Sequence, residues 1–255
     1  FRRMFYEKKI GKSTFFVFRE LEKIPGFVHA FTSRHGDFST KDVGPSGSVV
    51  EKKEDLLDAL GVRAGQLVFL EQIHSNEVVT LNHLLAGAGA VSLIGPADGV
   101  VIRSFAQFAV IRTADCLPIL AVAKQHVCLL HAGWRGTRDR IAARGIKQLL
   151  KTPGLYPRDV IVTIGPCIRR CCYQVGSEVK AQFKKSGHKV DQFFKEDRLD
   201  LVRANIAQIQ DLGVTRILDS KMCTACQTDL FYSYRKEATT RRNWVLAGFK
   251  LPPIR

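Results

Sequence analysis

Apolar positions in this chain come in short runs broken by polar, glycine- and proline-bearing stretches, and most of the runs read as strands. STFFVFREL (13–21) alternates loosely and predicts an early strand. Pro25-Gly26 marks a turn, and FVHAFTS (27–33) predicts a second strand. RHGDFSTKDVGPSG (34–47) is polar and rich in glycine, so it reads as a loop. EKKEDLLDALGV (51–62) has the apolar spacing of a short amphipathic helix ended by Gly61. LVFLEQI (67–73) and EVVTL (77–81) predict strands on either side of His74. ADGVVI (97–102) predicts another, after a glycine-bracketed loop. FAVIRTADCLPILAVA and HVCLLHA follow, and Thr137 is placed to cap a helix over 137–151 that Pro153-Gly154 stops. DVIVTIG (159–165) reads as a buried strand, and GPCIRRCCYQVG (165–176) as an irregular loop. Ser177 is placed to cap a helix to about Lys185, and Asp200 another ended by Gly213. VTRILDS (214–220) and NWVLAGFKL (243–251) predict strands around a loop at 221–237. With no repeat, low-complexity tract or linker, the expectation is one α/β domain over 1–255, with a mixed sheet and strands outnumbering helices.

The stretch TADCLPILAVAKQHVCLLHAGWRG (113–136) allows a geometric argument. If Lys124-Gln125 is a two-residue hairpin loop, Ala123 faces His126 and His131 lies opposite Pro118. Cys116, two positions from Pro118, then points to the same face as His131, a diagonal neighbour at roughly 7–8 Å. A three-residue loop would shift the register by one and send the two side chains to opposite faces.

Composition narrows the classes. The apolar fraction of 45% and charged fraction of 25% are those of a globular protein. The net charge of +15 is high, but the Lys and Arg are scattered and few aromatics interleave them, so a nucleic-acid track is not expected. No apolar run approaches the roughly 20 residues of a membrane span. The basic N-terminus FRRMFYEKK lacks the apolar stretch of a signal peptide. Seven cysteines without such a signal suggest free thiols or metal ligands in a reducing compartment, and a cytoplasmic location is expected.

Three residues stand out chemically. Cys116 and His131 sit at the ends of the apolar hairpin, and His74 follows a strand in FLEQIHSNEV. Singly each has an ordinary reading, as a small core thiol or a surface histidine. Together they match the N/S donor set of a zinc site with one open position. They also match a cysteine nucleophile with its base. A competing metal site is a Cys₄ set drawn from Cys167, Cys171, Cys172, Cys223 and Cys226. Cys223-x-x-Cys226 has ligand spacing, but Cys167 with Cys171 or Cys172 makes a poorer second pair. Arg34, His35, Arg135 and Arg235 are anion-binding candidates against a background of plain surface charge. Tyr232 and Tyr234 are candidates to stack on a planar ligand.

The segments EQIHSNEV, ADGVV, TADCLPIL, HAGWRG, IGPCIRRCCYQVG, CTACQTDLFYSYRKE and RRNWVLAGFKL, in that order, resemble the YfiH family, also known as the multicopper polyphenol oxidoreductase laccase domain. The resemblance runs from FTSRHGDFS nearly to the end of the chain. It implies a single-domain mixed-sheet α/β sandwich and one zinc held by His74, Cys116 and His131. It implies purine nucleoside chemistry: phosphorolysis of adenosine, inosine, guanosine and methylthioadenosine, and deamination of adenosine. The chain departs from the family where many members carry an Asn-Leu-Gly element and it reads KDVGPSG (41–47).

On this reading zinc acts as a Lewis acid toward water or substrate. Cys116 and His131 carry catalysis with Asp115 as a candidate acid or base. Arg34, Gln72 and Arg135 hold nucleoside and phosphate. Copper is the alternative metal, and a laccase-like polyphenol oxidase the alternative activity. A multicopper oxidase needs many histidine ligands, whereas the chain has seven histidines, at 29, 35, 74, 83, 126, 131 and 188, with no His-x-His pair. The remaining alternatives are a metal-free hydrolase using Cys116 and His131, and a non-enzymatic anion binder. Oligomeric state is not read from the sequence.

Overall fold

The computed structural model describes residues 4–11, 13–35, 54–83 and 91–252. The KDVGPSG departure and the first residues of the 51–62 helix lie outside them. The described residues form a mixed α/β sandwich of two main sheets with helices on both outer faces. The larger sheet has the order β1 (Phe5–Ile10), β2 (Ser13–Phe18), β3 (Phe27–Thr32), β15 (Asn243–Phe249), β8 (Phe108–Thr113), β4 (Leu67–Glu71), β6 (Ser92–Pro96). The smaller has the order β14 (Arg216–Asp219), β11 (Ile161–Ile164), β9 (Leu117–Ala123), β10 (His126–Ala132), β7 (Gly99–Ile102), β5 (Val78–Leu81). A two-stranded ribbon pairs β12 (Phe194–Lys195) with β13 (Arg198–Leu199).

Strand alternation distributes the side chains among the layers. Phe18, Phe31, Ile111 and Val245 of the larger sheet pack against Val100, Leu120, Val122 and Leu129 of the smaller. The opposite face of β9 and β10 (Ile119, Ala121, Cys128, Leu130) is covered by α3 (Ile141–Leu150) and α6 (Leu201–Gln210). The outer face of the larger sheet, with Phe15, Phe69 and Trp244, is covered by Leu56, Leu57 and Leu60 of α1 (Glu54–Leu60). A fourth cluster joins Ile168, Val179, Phe183, Phe193 and Leu201 around α4 (Ser177–Lys185) and the short α5 (Val190–Phe193). Central strands are thus buried on both faces, which is why LPILAVA and HVCLLHA are apolar throughout.

Three departures from expectation bear on how the chain is arranged. Strand β1 was not expected, because FYEKKI shows only Phe5 as a buried apolar residue. It is an edge strand carrying charge, with Lys8 paired to Glu22 at 2.8 Å, and such edges trade apolar pattern for protection against further pairing. The helix expected over 137–151 begins instead as α2 (Trp134–Arg138), breaks at Arg140 (φ +63°), and resumes as α3. At the break, the Thr137 carbonyl accepts from Gln208 Nε2 at 2.8 Å and from the Arg140 N–H at 3.2 Å, in place of the regular i+4 amide. Finally, the 221–237 loop contains one helical turn, α7 (Tyr234–Glu237), whose Lys236 N–H donates to Ser233 Oγ at 3.3 Å. The Asp200 cap is present, with its side chain accepting from the Arg203 N–H at 2.9 Å. No helix of the described residues is long and apolar enough to cross a membrane.

One core group makes acid stability predictable. His29 is buried, and its Nε2 accepts from the Phe18 N–H at 2.9 Å, which requires the neutral ring. Burial lowers its pKa from 6.5 to about 4. Between those values the unfolded chain binds the extra proton and the native one does not. Stability is therefore full above pH 6.5 and falls as pH drops toward 4, by about 3 kcal/mol for this group. The unfolding free energy of His29→Gln should decline less across that window than that of the wild type. Parallel declines would refute the assignment.

Candidate metal centre and cavity

The hairpin has the two-residue loop. His126 pairs with Ala123 and His131 with Pro118, and Lys124 takes the positive φ (+51°) that the tight turn demands. Cys116 immediately precedes β9 and His131 lies near the end of β10, so both reach the same end of the smaller sheet. His74 comes from the turn after β4 and stands in the left-handed region at φ +62°. The donor atoms of His74, Cys116 and His131 all lie within 4.8 Å of one another. The two imidazoles meet edge to face with centroids 4.9 Å apart.

What holds this trio is a residue that the sequence reading passed over within ADGVV. Asp98 is fully buried. Its Oδ1 accepts from the His74 N–H at 3.0 Å and faces His131 Nδ1 at 2.8 Å. Its Oδ2 accepts from the N–H groups of Ile73 (3.3 Å) and Ser75 (2.6 Å) and from the Ser75 hydroxyl (2.8 Å). One carboxylate thus ties the strained His74 turn to the His131 ring. Burial alone would raise the Asp98 pKa, but the bonds from His131 and Ser75 outweigh it and hold it below the ordinary carboxylate range. With Nδ1 turned to Asp98, His131 presents Nε2 to the centre, the arrangement in which a carboxylate orients a ligating histidine.

HAGWRG owes its glycines to this packing. A Cβ on Gly133 would stand 3.2 Å from both Cys116 Sγ and His74 Cδ2. One on Gly136 would stand 2.6 Å from the Ser75 carbonyl oxygen. Both residues let α2 approach the His74 turn more closely than a side chain permits. Electrostatics then favour a thiolate–imidazolium pair, from which a metal would displace the His131 proton. Burial would raise the Cys116 thiol, but the charge of His131 and hydrogen bonds from His131 and His74 bring it down to about 6. Burial would lower His131, but Cys116 and Asp98 raise it to about 9. Two imidazoles and a readily ionised thiol, convergent and with one side open to a cavity, fit a zinc ion with a free fourth position. The same set would also accept copper.

The cavity beside the trio has a volume of about 740 Å³, the size of a small-molecule site. His74, Asp115, Cys116 and His131 line it, and so do Gln72, Arg135, Trp134 and Tyr234. Four arginines line it: Arg112, Arg135, Arg235 and Arg242. Arg112 and Arg242 are close enough that burial and the charge of Arg242 together lower the Arg112 pKa. Such a cationic pair is a ready anion site. The sequence reading missed Arg112 and Arg242. Their signal was an arginine inside the apolar run FAVIRT and the RRN preceding the last strand.

Several expected site residues are engaged in structure. Arg34 is away from the cavity wall. Its guanidinium pairs with Glu237 at 2.7 Å, bonds the Thr228 carbonyl and stacks on Tyr232. Gln72 exchanges two hydrogen bonds with the backbone of Arg112, at 2.8 and 2.9 Å, so it fixes that strand end. Asp115 (φ +92°) accepts from Thr224 Oγ1 (2.6 Å), Ser233 Oγ (2.7 Å) and the Arg235 N–H (2.7 Å), which joins the 221–237 segment to the hairpin. Tyr232 is buried, whereas Tyr234 is exposed at the cavity. Of the other cysteines, Cys171, Cys172, Cys223 and Cys226 converge, while Cys167 is sequestered in the core behind β9.

Sequence and structure comparisons identify the family. The family model described as multi-copper polyphenol oxidoreductase laccase matches residues 28–250. A purine nucleoside phosphorylase of Deinococcus radiodurans is 33% identical over 237 residues, 86% of this chain and 88% of the relative. Adenosine deaminase RL5, of an unknown prokaryotic organism, is 30% identical over 208 residues, 74% of this chain and 76% of the relative. The crystal structure of YlmD from Geobacillus stearothermophilus superposes with a TM-score of 0.81 at 27% identity, covering 97% of this chain and 99% of that one. The chain therefore belongs to the laccase-like YfiH family.

Proposed function

We propose that this chain, folded as one domain over 1–255, is a zinc-dependent purine nucleoside phosphorylase that also deaminates adenosine. The observation that carries the reading is the convergence of His74, Cys116 and His131 on an arginine-lined cavity, in a chain 33% identical to a purine nucleoside phosphorylase. The test is release of free base from adenosine, inosine, guanosine and methylthioadenosine with and without phosphate. Phosphate-dependent base release supports the proposal. No base release, with oxidation of phenolic substrates instead, would overturn it.

His74, Cys116 and His131 would hold the zinc, which supplies a Lewis acid with one open position. The remaining work falls to the chain. In phosphorolysis a phosphate oxygen bonds to C1′, the N9–C1′ bond breaks, and its electron pair leaves with the purine. Arg112 and Arg242 anchor the phosphate, and Arg135 and Arg235 complete a cationic wall. Trp134, Tyr173 and Tyr234 line the same cavity, with Arg135 over the Trp134 ring and Arg235 over the Tyr173 ring, and would contact the planar base. Asp98 fixes the His131 tautomer, and Asp115 is a positioning residue because its oxygens are taken by Thr224, Ser233 and Arg235.

Arg112→Met should raise the KM for phosphate by roughly 10–150-fold, the equivalent of about 1.5–3 kcal/mol for a charged hydrogen bond. The KM for nucleoside should stay near that of the wild type. Equal effects on both would remove Arg112 from the phosphate site.

A second reading has its own support, since the Asp98–His131–Cys116 line is also that of a cysteine nucleophile, base and orienting acid. It predicts inactivation by alkylation and indifference to chelators, with metal-independent turnover.

A further inference from the structure

Outside the cavity, two irregular loops bring four thiols together. Cys171 and Cys172 lie on the loop after β11, and Cys223 and Cys226 on the turn after β14. Cys171 Sγ is 3.6 Å from Cys223 Sγ and 3.6 Å from Cys226 Sγ, and Cys172 Sγ is 3.3 Å from Cys226 Sγ. All four sulfurs lie within 4.8 Å of one another. We propose that Cys171, Cys172, Cys223 and Cys226 form a second, structural zinc site distinct from the one beside the cavity.

The distances suit a tetrahedron. Four sulfurs at about 2.3 Å from one zinc stand about 3.8 Å apart. Three of the separations are 3.3–3.6 Å and all lie within 4.8 Å, so modest movement reaches it. They are far longer than the bond of about 2.05 Å that a disulfide needs. The turn is built for ligation. Cys226 and Gln227 both donate backbone N–H groups to the Cys223 carbonyl, at 3.2 and 3.0 Å, which curls C-T-A-C so that both sulfurs face one point. The Arg169 N–H donates to Cys223 Sγ at 3.4 Å, a contact that stabilises a thiolate. Zinc with four thiolates is a net dianion, and the surroundings are cationic. Arg170 adjoins the first pair, Lys221 precedes the second, and the Arg198 guanidinium bonds the Cys171 carbonyl, while the Arg169 guanidinium is already paired with Asp219 at 2.7 Å. Four soft donors and no histidine or carboxylate select zinc over harder ions.

The site would act as a clasp between two loops that each reach the cavity. The first carries Ile168 and Tyr173, and the second carries the Thr224, Ser233 and Arg235 donors to Asp115. Their backbones are already linked, with the Thr224 N–H donating to the Cys167 carbonyl at 3.0 Å. A metal at their tips would lock the register of that contact and with it the position of Arg235.

The experiment uses metal analysis of the full chain purified without chelator, comparing wild type, Cys116→Ala and Cys172→Ser/Cys226→Ser. The proposal expects the double variant to hold one zinc fewer than the wild type. It also expects Cys116→Ala to keep a zinc whose removal by chelator lowers its melting temperature. Unchanged metal content in the double variant would overturn it. So would a Cys116→Ala protein that is metal-free, or a non-reduced mass lighter by two hydrogens, which would mark a disulfide. As a readout that does not depend on the variants folding, cobalt(II) loaded into Cys116→Ala should show the intense thiolate charge-transfer absorption of a tetrathiolate site. Its absence would overturn the proposal. None of these outcomes depends on the purine reading.

Discussion

Replacing Cys116 with alanine is expected to remove one metal equivalent and to reduce kcat/KM for nucleoside phosphorolysis by at least about a hundredfold, because the loss of even an outer partner of a metal ligand costs 10–100-fold. The substitution takes away the only sulfur among three donors that lie within 4.8 Å of one another, and the two imidazoles left behind are a weak site. Metal analysis alongside steady-state kinetics checks this. Chelation of the wild type should reproduce the loss, and added zinc should reverse it. Bound zinc should also shield Cys116 from alkylation. Activity that survives chelation but falls with alkylation would favour the nucleophile reading. Metal content unchanged by Cys116→Ala would remove Cys116 from the centre.

Asp98→Asn is the second large effect. The two residues have the same shape, so the change isolates hydrogen-bond polarity. Both oxygens of Asp98 act as acceptors, one facing His74 N–H and His131 Nδ1 and the other facing Ile73, Ser75 N–H and Ser75 Oγ. Whichever way an amide is turned, its NH₂ confronts N–H donors. At least one buried donor is left unpaired, at a cost of about 1–3 kcal/mol each. The His131 ring also loses the acceptor that orients it. Metal affinity should fall by about 10–100-fold, measured by competition with a chromophoric chelator, and the melting temperature should fall with it. Wild-type affinity in a stable Asp98→Asn protein would show that the His74 turn and the His131 ring are held by other contacts.

Much of this was readable before the structure. The hairpin register followed from a two-residue loop and the parity of strands, and that parity put Cys116 and His131 on one face. The caps at Asp200 and Gly213 followed from local chemistry. What escaped was governed by long-range partners. Asp98 fell inside the predicted strand ADGVVI (97–102) and drew no reading of its own. Its importance comes from Ile73, His74, Ser75 and His131, which reach it from two other segments. Arg34 read as an anion ligand because Glu237, its ion-pair partner, is some two hundred positions away. Arg112 drew no reading, because only the fold places Arg242 near it. Strand β1 escaped because an edge strand needs only one apolar face and here has few residues on it. The Cys₄ set ranked low because neither Cys167/Cys171 nor Cys167/Cys172 is a C-x-x-C, and only the meeting of two loops brings Cys171 and Cys172 to Cys223 and Cys226.

The order of strands in the larger sheet bears on how the molecule is made. Strand β15 follows every other strand in sequence yet sits in the middle of the sheet, paired to β3 on one side and to β8 on the other. Until residues 243–249 have left the ribosome, β3 and β8 expose facing, unpaired edges, and the sheet exists as two halves. Such long-range closure is slow and leaves aggregation-prone edges open during synthesis. Asn243 at the start of β15 also bonds the Thr113 and Tyr232 carbonyls next to the cavity. The nascent chain should therefore acquire its sheet and its cavity together, as the last event of folding.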